Sequence, residues 1–213
     1  MANQPSVYSY EKILDAAFEL IRQGGWQSVT TRAIAKKLGS STMPIYSRVS
    51  SVDELLKDIQ RMARKQLIEY QQKDYTGEVL LNLAVGYVMF ARDEKHLFRF
   101  LYLEKPEKIN TEGETAMKEI FFADFGEESP QGKALKDLKL SGQEMLMQNT
   151  WIFTHGLAML ANAEALSSDS DETIQQHLMN AGQAFYLLGL NEEGKLSISE
   201  SIENDEENEV NKS

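Results

Sequence analysis

The sequence predicts an all-α protein, and three observations carry that reading. Apolar residues recur at helical spacing in nearly every segment. No run alternates apolar and polar residues between hairpin turns, and the 213 residues hold only four prolines. Capping residues and glycine stops punctuate the runs at intervals suited to helices. We expect about nine helices in total, a three-helix head followed by a larger helical body.

The first helix spans residues 8–23, with Ile13, Leu14, Ala17, Phe18, Leu20 and Ile21 as its apolar stripe. Gly24 and Gly25 end it, because glycine takes a left-handed cap without a Cβ clash. Trp26 and Val29 then need a nearby surface to bury against. The second helix, 31–38, has Thr30 as N-cap, turns Ile34, Ala35 and Leu38 inward and stops at Gly39. The third begins after Ser40 or Ser41 and runs through Tyr46 or Ser47. Pro44 falls in its first turn, where a missing N–H is harmless. Ser51-x-x-Glu54 is a capping box that opens a fourth helix to residue 72, with Leu55, Leu56 and Ile59 on one face. A fifth helix covers 77–92 with Thr76 as cap, and a sixth covers 94–103. After a loop at 105–113, helical segments are expected at 114–125 and from Pro130. Ser141-x-x-Glu144 is a second capping box, opening a long helix to residue 166. Ser170 caps the last helix, 171–190.

Hydrophobic residues make up 42% of the chain, enough to bury the core of one large domain or two modest ones. The absence of cysteine excludes disulfides, thiolate metal sites, iron–sulfur clusters and a cysteine nucleophile, and suits a reducing compartment. No apolar run approaches ~20 residues, and the N-terminus lacks the apolar stretch of a secretory signal, so a cytoplasmic protein with no membrane partner is expected. The formal net charge of −11 argues at first against a polyanionic partner. It is unevenly spread, however. Residues 1–50 hold six basic groups and three acidic ones, or +3. The remainder holds sixteen basic and thirty acidic groups, or −14. Three of the six basic groups, Arg32, Lys36 and Lys37, fall together. Residues 191–213 carry eight acidic groups against Lys195 and Lys212, and this acidic tail is expected to be disordered.

The two short helices of residues 30–47, joined by Gly39-Ser40-Ser41, have the dimensions of a helix-turn-helix. That unit needs a small residue at the turn, an alanine where the helices cross, and apolar residues between them. Gly39, Ala35, Ile34, Leu38 and Ile45 meet those demands. The second helix of such a unit enters the major groove of DNA with its N-terminal residues against base edges. Here that turn is Ser41, Thr42, Met43 and Pro44, followed by Ser47 and Arg48. Hydroxyls satisfy phosphates, and threonine or apolar groups contact a thymine methyl. Arg32, Lys36 and Lys37 read either as a solvated helix face or as backbone contacts. Tyr46 reads as core, as a phosphate contact, or as both, since its ring and hydroxyl serve different partners.

Ile13-Leu14-Asp15-Ala16-Ala17, Gly25-Trp26, Val29-Thr30-Thr31-Arg32-Ala33-Ile34-Ala35, Leu38-Gly39, Ile45-Tyr46 and Asp53-Glu54-Leu55-Leu56 recur in order at a family's spacing. They resemble the N-terminal domain of TetR/AcrR-family transcriptional regulators, over about residues 10–57. The resemblance implies an all-helical, homodimeric, ligand-responsive repressor of a palindromic double-stranded DNA operator. It places Thr30 and Thr31 near phosphate, Thr42 to Pro44 against bases and Tyr46 on the backbone. Ser40 departs from the family by replacing an apolar turn residue, and Val49 by replacing an aromatic; both are expected to loosen the third helix. Val52 stands where a phosphate-contacting lysine is frequent. Trp151-x-x-x-His155-Gly156 is similar to a Trp-His-Gly signature in the C-terminal domain of one branch of these regulators.

The domain division that follows is 1–50 for the DNA-binding head, 51–190 for an effector-binding and dimerisation domain, and 191–213 for the tail. Aromatic and methionine residues concentrate between 85 and 160. Phe90, Phe98, Tyr102, Phe121, Met147, Trp151 and His155 are candidate ligand contacts for a small apolar or amphipathic effector. The alternative is that they are core, and that His155 is structural. Gln143, Gln148 and Asn149 could orient a ligand. Leu146, Met147, Thr150, Phe153, Leu157 and Leu160, with Leu178, Ala181, Ala184, Phe185 and Leu188, are candidates for a dimer face or for internal packing. His96, His155 and His177 lack metal-ligand spacing, and no phosphate loop or nucleophile elbow appears, so no metal, cofactor or enzymatic activity is expected. A helical protein–protein interaction module without DNA binding is the alternative function, and a helical carrier or enzyme a further one.

Overall fold

The computed structural model describes residues 8–49, 51–104, 133 and 135–190. These residues form eight α-helices, with no strand among them. The first is α1, Tyr10–Gly24, capped by Ser9, whose hydroxyl accepts from the Lys12 N–H. Ile13, Ala16, Ala17, Phe18 and Ile21 are its buried face. Gly25 ends it at φ +76°, and a short 3-10 turn, Trp26–Ser28, follows. The Ser28 hydroxyl pins that turn by donating to the carbonyls of Gly25 and Leu20.

Helix α2, Thr31–Leu38, begins and ends where the sequence predicts. Thr30 Oγ1 accepts from the Ala33 N–H at 3.1 Å, and Gly39 takes the left-handed cap at φ +64°. Helix α3, Met43–Arg48, opens with Pro44 in its first turn and buries Ile45. Ser40 lies in the turn before it and Val49 is its C-cap residue. The Ser40 N–H donates to Ala35 O and the Val49 N–H to Ile45 O, each at 2.9 Å. The first of these bonds closes the end of α2 and the second the end of α3, both through backbone atoms. Helix α4, Val52–Gln71, is capped by Ser51, whose Oγ accepts from the Glu54 N–H at 3.0 Å.

Helix α5, Val79–Asp93, is the central helix, and Asn82 and every residue from Val85 to Ala91 are buried. It starts later than predicted. Thr76 Oγ1 accepts from the N–H of Glu78, the N-cap residue, and not from an N–H within the helix, while Asn82 Oδ1 gathers the N–H groups of Tyr75 and Thr76 and the Thr76 hydroxyl, folding the preceding turn back on the helix. Helix α6, Lys95–Arg99, widens into a π-helical turn, Phe100–Glu104, where the sequence suggests one continuous helix. The segments predicted at 114–125 and from Pro130, and the tail, lie outside the described residues.

Helix α7, Leu140–Asn162, also departs from prediction. Its N-cap is Lys139, so Ser141 lies inside the first turn and caps nothing. Gln143 Nε2 reaches back instead, to the carbonyls of Leu135 and Leu138. The helix ends at Asn162, after which Glu164 turns left-handed at φ +55° and the Ala165 N–H returns to Leu160 O, and the Asn162 side chain makes tertiary bonds. It donates to Ala91 O and Lys95 O and accepts from Arg99 Nε. Helix α8, Asp171–Leu190, has the predicted cap, Ser170 Oγ accepting from the Thr173 N–H. The start of α7 meets the end of α8 at Gly142 and Gly189, so the two run antiparallel.

One continuous core joins these helices, from Ile13 in α1 through Ile59, Phe90 and Phe98 to Leu178 in α8. Helix α1 therefore rests on α4 and α6 as well as on α2. Its ties are partly polar. The Tyr10 hydroxyl donates to Asp58 at 2.6 Å. Arg22 grips the buried carboxylate of Glu94 with two N–H bonds, and Gln66 of α4 adds a third at 3.0 Å. No described helix is long and apolar enough to cross a membrane.

Candidate functional site

The helix-turn-helix presents one face to the core and one to solvent. On α3, Ile45 is 3% exposed, while its neighbours Met43 and Tyr46 are 75% and 70% exposed. Ser41, Ser47 and Arg48 are exposed as well, and Thr42 and Pro44 are half-buried. Ser47 Oγ is satisfied locally by donating to Pro44 O. Thr30, Arg32, Lys36 and Lys37 are exposed on α2 and at its start, and Thr31 is half-buried. The Thr30 hydroxyl accepts its capping bond and keeps its own O–H to donate, since a hydroxyl serves both roles. All ten predicted head residues therefore belong to α2, α3 or the turns that open them. Val52 is 59% exposed beside them and brings no charge.

The body holds a cavity of about 520 Å³ between α5, α7 and α8. Of the candidate ligand contacts, Met147 and Trp151 line it. Phe90 and Phe98 do not; both are fully buried in the core. Phe121 lies outside the described residues. Tyr102 and His155 stand behind the lining. They join Tyr87, Phe98 and Trp151 in an aromatic cluster with ring centroids 5.0–6.1 Å apart. Edge-on contacts such as Tyr87 on Phe98 suit the positive rim and negative face of these rings. Tyr87 lines the cavity with its ring while its hydroxyl lies 2.9 Å from His155 Nδ1. Burial raises the Tyr87 and Tyr102 hydroxyls above their ordinary values and lowers the His155 imidazole. A neutral imidazole protonated at Nε2 accepts the Tyr87 proton donor at Nδ1.

The lining also includes Thr154 and Tyr87, which were not among the predicted ligand contacts. Thr154 carries a buried hydroxyl with no hydrogen-bond partner, and Tyr87 reads in the sequence as one aromatic among many. Among the predicted dimer-face residues, Leu146, Leu157 and Leu178 are buried within the chain. Met147, Thr150, Phe153, Ala181 and Phe185 line the cavity. Leu160 and Ala184 are exposed. Ile152 and Leu187, 59% and 66% exposed, add apolar surface to the same two helices. Among the described residues, no group of histidines, cysteines and carboxylates is arranged to hold a metal ion.

Comparison with known proteins follows the same division. Residues 13–59 match the family model for bacterial regulatory proteins, tetR family. No curated protein matches the chain in sequence. A solved structure of a TetR family protein from Vibrio parahaemolyticus shares the fold, with a TM-score of 0.51 at 17% identity. That likeness covers 82% of this chain and 96% of the other. The N-terminal helices are thus similar in sequence to the tetR family of bacterial regulatory proteins, and the chain is similar in fold to a solved structure from that family.

Proposed function

We propose that the chain is a ligand-responsive transcriptional repressor that binds a palindromic operator as a homodimer. One observation carries the DNA reading: α3 buries Ile45 and turns Met43, Tyr46 and Arg48 outward. Two large apolar side chains held in water on a six-residue helix make sense as groups that meet a partner. Met43 suits a thymine methyl, and Tyr46 and Arg48 suit phosphate. Thr30, Thr31 and Arg32 flank them at the start of α2, and Ser41, Thr42, Pro44 and Ser47 complete the face. Residues 1–50 act as the reading head, 51–190 as the effector-binding and dimerising body, and 191–213 as an acidic tail. The protein works in the cytoplasm as a binding protein, not as an enzyme.

Exposed Ile152, Leu160 and Leu187 on α7 and α8 support a dimer face on those helices. Two heads then reach successive major grooves, about 34–36 Å apart. A small apolar or amphipathic molecule in the cavity favours another spacing. Effector and operator thus weaken each other's binding by the same factor, as linkage requires. Helix α4 runs from the head to the cavity, where Gln71 is a lining residue, so it is positioned to carry the change.

A mobility-shift titration against the palindromic DNA beside its own gene tests the reading. Tyr46→Ala and Arg48→Ala should each weaken operator binding about fivefold or more, and leave the dimer intact by size exclusion. Arg48→Ala should also lower the salt dependence, since each phosphate contact contributes about 0.9 to that slope. Failure to bind any operator at low salt would favour a helical interaction module or carrier.

A further inference from the structure

The exposed face of α3 is defined as much by what it lacks as by what it carries. Guanine shows only acceptors, N7 and O6, in the major groove, and is read by paired donors from arginine or lysine. Adenine is read in the same paired way by asparagine or glutamine, and cytosine by a carboxylate. From Gly39 to Ser47 the chain has none of these residue types. Arg48 comes only in the last turn of α3. Arg32, Lys36 and Lys37 belong to α2, the helix that crosses the DNA backbone in such a unit.

What α3 does present is Met43, the most exposed large apolar side chain among the described residues. Tyr46 and Ser47 follow at three and four residues and so share its face, while Ile45 is held in the core. Pro44 stiffens the backbone beside it. Ser47 Oγ commits its one proton to Pro44 O, so it is exposed with lone pairs only. Lone pairs suit an amino group, such as adenine N6, and not the acceptors of guanine. The hydroxyls of Ser41 and Thr42 serve donors and acceptors alike, and so do not choose between bases.

We infer that α3 reads a C5-methyl group: Met43 packs on a thymine methyl, and the base pair beneath it is A·T. That methyl is the one apolar feature an unmodified base pair shows in the major groove. Methionine suits it, since an unbranched, polarizable side chain adapts to the position of so small a group. Cytosine in its place offers an amino group, which contact with Met43 would strip of water without a new partner. The inference extends to modified DNA. 5-Methylcytosine carries its methyl where thymine does, so methylation of a cytosine beneath Met43 supplies the contact that cytosine lacks. The inference rests on the regulator reading, because α3 meets bases only if the chain binds DNA.

The test begins with duplexes of randomised core, from which those retarded by the full chain in a gel are sequenced. The enriched half-site should hold a thymine at a fixed position. Its thymines are then replaced one at a time by deoxyuridine, which keeps the pairing and removes only the methyl. One replacement should weaken binding about fourfold, the worth of a single buried methyl. With G·C at that position, 5-methylcytosine should bind about two- to fourfold tighter than cytosine. Both differences should vanish in Met43→Ala and persist in Met43→Leu, with far-UV circular dichroism unchanged in each, since the side chain packs on nothing in the core. A half-site in which no thymine responds to deoxyuridine, or a penalty that survives Met43→Ala, would overturn the inference and leave the DNA reading standing. A chain that enriches no duplex at low salt defeats the regulator reading, and this inference with it.

Discussion

Thr30 shows how one hydroxyl can fix a helix start and still keep its own proton to donate. Its oxygen accepts the Ala33 N–H and so fixes the start of α2, while its O–H remains to face outward. The capping half of that role is legible in the sequence, because a threonine before an apolar-periodic run has few other uses. His155 was harder to read, since burial decides its behaviour and spacing does not reveal burial. The surrounding aromatic rings hold its imidazole below the ordinary value of about 6.5. The unfolded chain then takes up this proton first as the pH falls. The associated stability is whole above about pH 6.5 and is lost as the pH falls through the folded value. Melting temperatures at pH 7.5 and 5.5 should therefore drop further for the wild type than for His155→Gln; equal drops would show that the imidazole is not held neutral. Met147 and Trp151 were found as lining residues, whereas Phe90 and Phe98 proved to be core. Helical spacing tells which residues share a face, but α5 is buried around most of its girth, so spacing alone could not say which face met the cavity.

Among elements, two identical signals had different outcomes. Ser51-x-x-Glu54 caps α4, but Ser141-x-x-Glu144 lies inside α7. A serine three residues before a glutamate fits a helix interior as well as its start. What separates the cases is the preceding chain: Gln143 ties the α7 entry to Leu135 and Leu138, and the helix begins at Leu140. The π-helical turn at Phe100–Glu104 left no trace in the sequence, because its apolar spacing is also that of an α-helix. Close helix crossings were equally invisible. A Cβ on Gly86 of α5 would collide with the Tyr70 carbonyl and with Gln71 Cα of α4. No rotamer change relieves a clash with backbone, so the helices must separate. Gly86→Ala should destabilise the protein by about 1–3 kcal/mol in urea unfolding, the usual range for overpacking. A neutral result would mean that the crossing is looser than described.

At the scale of the molecule, the head and body share one apolar core and a polar fastening. Arg22, Gln66 and Glu94 bring α1, α4 and the α5–α6 junction to one carboxylate. Glu94 is 7% exposed but the Arg22 side chain is 44% exposed, so water screens the pair and its worth is modest. Arg22→Ala should cost about 1 kcal/mol, and amide exchange should quicken about fivefold in α1 while α7 and α8 keep their protection. Uniform loss of protection would mean that the whole core, and not this fastening, holds α1. The unequal charge of head and body was plain in the sequence, and it orients the molecule on a polyanion with the +3 segment foremost. This carboxylate was not, because its partners stand far apart along the chain. Arg22 and Glu94 are separated by 72 residues. At about 5–20 residues per second, a ribosome needs about 4–14 seconds to pass from one to the other. From Arg48 onward the nascent chain already contains α3 but not the group that fastens α1. Helix α1, made early, thus waits for a residue near the middle of the chain before it is fastened.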